Sequence, residues 1–371
     1  MNFDKLTAFL DEQSIDMVPG MDCIVYRDHQ QIYRHLTGFR DRENGITMNG
    51  DEQYWLFSAT KVFTATAGMQ LIERGIIRPE DPVSMYLPAF ATMSVNDEGH
   101  IRAPRTEMTI RHLFTMSAGL TYDFNTAPVL AARAVKGAAT VDIANAFIET
   151  PLSFEPGYRF QYSLCHDVLG AIASVITGMS FAAFMEKELF SPLGMKDTSF
   201  SFREDEMAKK YVYKDGAYLP DACSNSYILG ENYHSGGAGV VSTLHDFALF
   251  ADALACGEGK DGYLLIRRES VDLLRTEQLR GLLKNYNFGC AAGDEFGYGL
   301  GVHTLTAPNS ETKAPLGVFG WDGAAGAYIM CDPEHKLSIA YLTHVHNWPS
   351  VNKNAPFHRE LRNAVCEAVL G

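Results

Sequence analysis

Residues 54–75 read Tyr-Trp-Leu-Phe-Ser-Ala-Thr-Lys-Val-Phe-Thr-Ala-Thr-Ala-Gly-Met-Gln-Leu-Ile-Glu-Arg-Gly. The aromatic and apolar run Tyr54 to Phe57 predicts a strand. A helix is expected from Ala59 to Arg74, with Gly75 as its stop. That helix is apolar to an unusual degree, through Val62, Phe63, Ala65, Ala67, Met69, Leu71 and Ile72. Ser58 stands at the junction and Lys61 follows three residues later, a spacing that places both side chains on one helical face. A serine hydroxyl is a weak nucleophile and needs a neighbouring base or cation to release its proton. A helix N-terminus adds partial positive charge and free N–H groups that suit an oxyanion. The plain alternative is a serine N-cap with an incidental lysine. Against it, a lysine at the head of a buried helix needs a reason to be there.

Outward from this segment, Asp22 to Tyr26 and Gln31 to Leu36 predict two strands, joined at Arg27-Asp28-His29-Gln30 as a hairpin. From Arg78 onward helices and loops dominate. Helices are expected at Thr109 to Met116, Val141 to Glu149, Leu164 to Thr177, Phe181 to Phe190 and Leu244 to Cys256. Strands return after Phe296, at Tyr298 to Leu305, Val318 to Trp321, Ala327 to Cys331 and Leu337 to Thr343. A helix from Phe357 to Leu370 closes the chain. This order predicts an α+β fold: a mostly antiparallel sheet built from both chain ends with flanking helices, plus a helical insertion lobe. The expected division is residues 1–77 together with 297–371 as the sheet domain and 78–296 as the mainly helical lobe. The ligand cleft then falls between them.

Composition narrows the function classes. The 371 residues carry 31 Lys and Arg against 45 Asp and Glu, a net charge of −14. Phosphate binding depends on Lys and Arg releasing counterions, so a nucleic-acid partner is not expected. No stretch reaches the ~18 apolar residues of a membrane span, and the amphipathic start at Phe3, Leu6, Phe9 and Leu10 lacks the pattern of a secretory signal. A cytoplasmic location is the expectation. The seven cysteines (Cys23, Cys165, Cys223, Cys256, Cys290, Cys331 and Cys366) include no Cys-x-x-Cys and are read as free thiols.

Two further elements carry chemistry. Tyr162-Ser163 opens the Leu164 to Thr177 helix. A tyrosine with its ordinary pKa of ~10 is a poor base at neutral pH, but an adjacent ammonium favours its phenolate. As a lone feature it reads as a core tyrosine capping a helix. The other element is Phe319-Gly320-Trp321-Asp322-Gly323-Ala324-Ala325-Gly326, where small residues after a strand allow a substrate close to the backbone. An N–H there could be a second oxyanion donor. A tight turn or β-bulge is the alternative.

In this order the three elements resemble the serine β-lactamase and penicillin-binding-protein superfamily, whose marks are Ser-x-x-Lys, a Tyr-Ser-x or Tyr-x-Asn, and a Lys-Thr-Gly or its substitute. Four more stretches are similar to family segments: Tyr54 to Gly75, Ile110 to Leu120, the Glu155-Pro156-Gly157 lead-in to Tyr162, and Gly236 to Thr243. The resemblance spans most of the chain. Two departures redirect it. Leu164 stands where β-lactamases of this type keep an asparagine, and Trp321-Asp322-Gly323 stands where they keep Lys-Thr-Gly. The pattern is closest to the family VIII carboxylesterases, which use this fold on neutral esters.

The resemblance implies that Ser58 attacks the carbonyl and that Tyr162, assisted by Lys61, serves as base and then acid. The N–H groups of Ser58 and Ala324 would hold the oxyanion. Trp321, Asp322 and Gly323 are the substrate-binding candidates, with Trp321 as a pocket wall and Asp322, if ionised near the cleft, repelling carboxylates. Tyr122 and Tyr233 are candidates for the cleft or for ordinary packing. No cofactor or metal is implied, the expected partner is a small-molecule ester or amide, and the oligomeric state is left open. The runner-up is a β-lactamase, D-amino-acid peptidase or acyltransferase of the same fold. A non-catalytic penicillin-binding-like sensor is the reading from another class. His344 and His346 lack a partner motif for a metal, no Gly-x-Ser-x-Gly elbow is present, and Gly297 to Gly301 has the wrong spacing for a nucleotide loop.

Overall fold

The computed structural model describes residues 1–16, 18–279, 295–346 and 357–371. Cys290 lies outside them. The other six cysteines are free thiols, four of them buried.

An eight-stranded antiparallel sheet is drawn from both ends of the chain. The N-terminal part supplies β1 (Gly20–Arg27), β2 (Gln30–Asp41) and β3 (Ile46–Thr47). The C-terminal part supplies β4 (Phe296–Tyr298), β5 (His303–Leu305), β6 (Phe319–Asp322), β7 (Tyr328–Asp332) and β8 (Leu337–Thr343). Their spatial order is β4-β5-β6-β7-β8-β1-β2-β3, and the two halves are joined where Met21 faces Thr343 and Arg27 faces Leu337.

Strand periodicity of two assigns the side chains to two cores. Ile24, Ile329, Ala340, Leu342, Phe319 and Trp321 face one core, shared with α2 (Thr60–Glu73), α3 (Cys165–Thr177) and α4 (Leu244–Cys256). Cys23, Val25, Tyr328, Met330, Ile339 and Tyr341 face the other, covered by α1 (Asp4–Asp16) and α5 (Phe357–Leu370). At ~25 cal/mol per Å² of buried apolar surface, such two-sided covering is the main stabilising term. It also explains why the central strands are buried along their whole length, as β7 and β8 are.

Three expectations need correction. Tyr54–Trp55 is a strand, but it pairs with Val241–Ser242 outside the main sheet. The expected strand Tyr298 to Leu305 is two strands, because Gly301 at φ +91° turns the chain between them. The helix expected over Phe181 to Phe190 is α-helical only to Met185 and continues as a π-helical stretch over Glu186–Phe190. The sequence reading also passed over the hairpin of Tyr211–Lys214 and Ala217–Pro220, and the helices Ala127–Ala134 and Arg268–Arg275.

Candidate active site

Ser58 lies in a single 3-10 turn, Phe57–Ala59, that runs directly into α2. The turn is forced by Phe57, whose φ of +45° is unusual for a bulky residue. Packing holds it there. Phe57 is buried, its ring is stacked on His346 at 5.6 Å, and the Leu56 N–H donates to the Val240 carbonyl. Such a conformation persists where the surroundings over-determine it, and it aims Ser58 out of the helix start. The end of β6 packs against the same turn. Gly323 is what permits this: a Cβ there would lie 2.1 Å from the Leu56 carbonyl oxygen. Gly323 therefore serves close backbone approach, and the following residue, Ala324, sits half-buried in the turn that closes with Gly326 N–H donating to the Gly323 carbonyl.

Lys61 is fully buried. Its Nζ donates to Ser58 Oγ at 3.3 Å and to the Gly237 carbonyl at 2.7 Å. The same nitrogen lies 4.5 Å from the Tyr162 ring centroid and 5.7 Å from that of Tyr122. Burial pushes the ammonium down to about 7, against the opposing pull of Asp167, Cys165 and Asp322. This is the poise expected of a group that exchanges protons near neutrality.

Asp167 in the first turn of α3 was not singled out from sequence. It is buried, and its Oδ1 accepts from Tyr233 Oη at 2.7 Å and Ser235 Oγ at 2.6 Å. Burial raises its pKa, while those donors and Lys61 hold it back. Gly237 separates Asp167 from Lys61, and a Cβ on it would meet Asp167 Oδ2 at 2.7 Å. The signal that could have found Asp167 is a carboxylate inside the most apolar part of the helical lobe.

Tyr162 accepts a hydrogen bond from Trp321 Nε1 at 3.0 Å. Indole nitrogen is a donor only, so the phenol oxygen must accept. Trp321 is 1% exposed. It supports Tyr162 from behind and is not a pocket wall, contrary to the sequence expectation. Asp322 departs further. As the next residue on β6 it points to the opposite face of the sheet, where its Oδ2 lies 3.8 Å from His358 Nδ1 on α5. Burial raises its pKa to about 7. It does not face the Ser58 cleft and cannot screen carboxylate substrates by contact.

Tyr233 is likewise displaced from the expected cleft; it is buried beneath the site as a donor to Asp167. Tyr122 does join the site, with its ring 5.5 Å from Tyr162 and 5.6 Å from Tyr227. Tyr227 and Phe124, 5.8 Å apart, extend this aromatic wall and carried no sequence signal. His344 bonds the Lys209 carbonyl through Nδ1, and His346 is used in stacking on Phe57.

Lys61, in the first turn of α2, thus lies against both Ser58 and the ring of Tyr162, which just precedes α3, with Trp321 of β6 behind the tyrosine. A serine hydroxyl within hydrogen-bond distance of a buried amine, with a phenol ring against that amine, is an arrangement that can move a proton from the serine as it attacks an acyl carbon. A family model described as Beta-lactamase matches residues 6–363. Protein Rv1367c of Mycobacterium tuberculosis is 29% identical, with 92% of this chain and 90% of that protein covered. Esterase EstB of Burkholderia gladioli is 28% identical, with 93% and 90% covered. The solved structure of EstCE1, described as a hydrolase with promiscuous acyltransferase activity, superposes with a TM-score of 0.80 at 23% identity over 98% of each chain.

Proposed function

The chain belongs to the beta-lactamase family and is a serine hydrolase or acyltransferase of that fold, and from this we propose a carboxylesterase that forms an acyl-enzyme on Ser58 from small neutral esters. The observation that carries the proposal is the contact of buried Lys61 with Ser58 Oγ beside a Tyr162 whose oxygen is held by Trp321. In the proposed reaction Ser58 Oγ bonds to the ester carbonyl carbon while its proton passes to the Lys61–Tyr162 pair. The N–H groups of Ser58 and Ala324 donate to the oxyanion, each such donor being worth about 2.7–4 kcal/mol. The pair returns the proton to the departing alkoxide. Water then repeats the sequence on the acyl-enzyme, with Ser58 as the leaving group.

A neutral substrate follows from the surroundings of Tyr162. Tyr122, Tyr227 and Phe124 offer aromatic surface to an uncharged acyl chain. Purified protein is expected to turn over p-nitrophenyl butyrate with a kcat/KM at least about 100-fold above that for nitrocefin, a difference of about 2.7 kcal/mol in the barrier. Equal rates, or faster nitrocefin hydrolysis, would transfer the assignment to the β-lactamase or peptidase reading.

Trp321→Phe tests the second half of the constellation. It keeps an aromatic side chain, a smaller one, and removes the Nε1–H donor. A hydrogen bond to a group that becomes charged contributes about 1.5–3 kcal/mol, so kcat should fall by roughly 10- to 100-fold. KM should stay near the wild-type value, because the indole is buried away from the substrate. A raised KM with kcat intact would mean that Trp321 acts as a binding surface after all.

A further inference from the structure

The tip of the β1–β2 hairpin is pressed against the last turn of α4. Asp28 and His29 form that tip, both with positive φ, +48° and +64°. The His29 N–H donates to Asp252 Oδ1 at 3.2 Å, and its ring Nδ1 lies 2.8 Å from Asp252 Oδ2. Asp252 and Cys256 are one helical turn apart on α4 and share a face. Cys256 Sγ lies 3.8 Å from Asp252 Oδ1. One donor atom each from Asp28, His29 and Cys256 falls within 4.8 Å of the others. None of these four residues belongs to the Ser58 constellation.

We propose that Asp28, His29 and Cys256 form a binding site for a zinc-class divalent metal ion, with Asp252 orienting the imidazole. Carboxylate, imidazole and thiolate are a zinc donor set, with bond lengths of roughly 2.0–2.3 Å. A tetrahedral ion on those lengths keeps its donors about 3.3–3.8 Å apart, so a small inward rotation of Asp28 and Cys256 brings the three donors to that spacing and leaves the fourth position to a water molecule. Thiolate and imidazole together select zinc or cobalt over magnesium or calcium. Asp252, 3% exposed on its side chain, supplies the carboxylate that metal-bound histidines commonly lean on.

Electrostatics points the same way. The site lies at the C-terminal end of α4, where the helix carbonyls favour a cation, yet the last turn of α4 carries no basic residue. The cation now nearest Asp28 is Lys336, at 2.7 Å in a pair exposed on both sides. Such a pair contributes little and is screened by salt, so it yields to a divalent ion. The bound ion would fasten the hairpin to the helix across the edge of the core.

The test is titration of the full chain with Co²⁺, followed by Zn²⁺ competition. The expected result is one equivalent of cobalt with a thiolate-to-cobalt charge-transfer band and four-coordinate visible bands, both bleached by zinc. Cys256→Ser should remove the charge-transfer band. His29→Ala, on an exposed turn, should weaken cobalt binding at least about tenfold. Unchanged far-ultraviolet circular dichroism establishes that each variant is folded. No charge-transfer band in the wild type, or a band that survives Cys256→Ser, overturns the proposal. These readouts do not involve Ser58, so they stand apart from the outcome of the esterase assays.

Discussion

Ser58→Ala is expected to lower kcat for p-nitrophenyl butyrate by about 10⁴- to 10⁶-fold, the range seen when the nucleophile of a serine hydrolase is removed. The effect should be this large because the next hydroxyl along the helix cannot take over the bond. Thr60, the next hydroxyl on the helix, is fully buried and accepts from the Val240 N–H. The fold should be untouched, since the side chain makes one 3.3 Å contact with Lys61. Intact mass after a fluorophosphonate probe gives an independent reading: the wild type gains one adduct and the variant none. Retention of either turnover or labelling by Ser58→Ala would place the nucleophile elsewhere.

Lys61→Met should cost about 10²- to 10⁴-fold in kcat, the usual span for loss of a positioned proton-transfer group. The pH profile carries more information than the rate. With the ammonium held near 7 by burial, kcat/KM in the wild type should rise with pH through about 7 and then level. Below that the Lys61–Tyr162 pair is fully protonated and cannot accept the Ser58 proton. Asp167→Asn removes the anion that most opposes the fall in the Lys61 pKa. An ammonium without that anion is less stable, so the rising limb should move to lower pH. An unmoved limb would reduce Asp167 to a packing role.

The same burial has a consequence for stability. The folded protein gives up the Lys61 proton at about 7, and the unfolded chain at its ordinary 10.5. Between those values the unfolded state binds more protons, so this group's contribution to stability rises with pH across that window. Lys61→Met lacks the dependence. Urea midpoints at pH 7 and pH 9 should therefore separate more in the wild type than in the variant. Parallel shifts in the two proteins would contradict a buried, depressed lysine.

Much of this was legible in the chain. The β8 span Leu337–Thr343, α4 and α5 fall where periodicity placed them, because long apolar patterns leave little choice of element. Lys61, named from its spacing to Ser58, lies against both Ser58 and the Tyr162 ring. What failed was what neighbours decide. Tyr54–Trp55 reads as a strand, but nothing in it names Val241–Ser242 as its partner. Tyr233 reads as an aromatic near a glycine-rich segment, and only the fold brings it under Asp167. Trp321 and Asp322 show a different failure. Adjacent strand residues point to opposite faces, so grouping both in one pocket ignored information already present in the sequence. Trp321 supports Tyr162, while Asp322 meets α5.

The pairing of β1 with β8 also bears on how the molecule comes to exist. Met21 finds its partner at Thr343, and β1 has β2 as its only other neighbour in the sheet. During synthesis the first hairpin leaves the ribosome long before β8 is made. Closing so long a loop costs entropy that no local contact returns at once, and folding dominated by distant contacts is slow. Until then one edge of β1, rich in Cys23, Ile24 and Val25, is open to other chains. The nascent protein should lean on chaperones for most of its translation, and chains truncated before Leu337 should aggregate instead of accumulating as soluble, partly active forms.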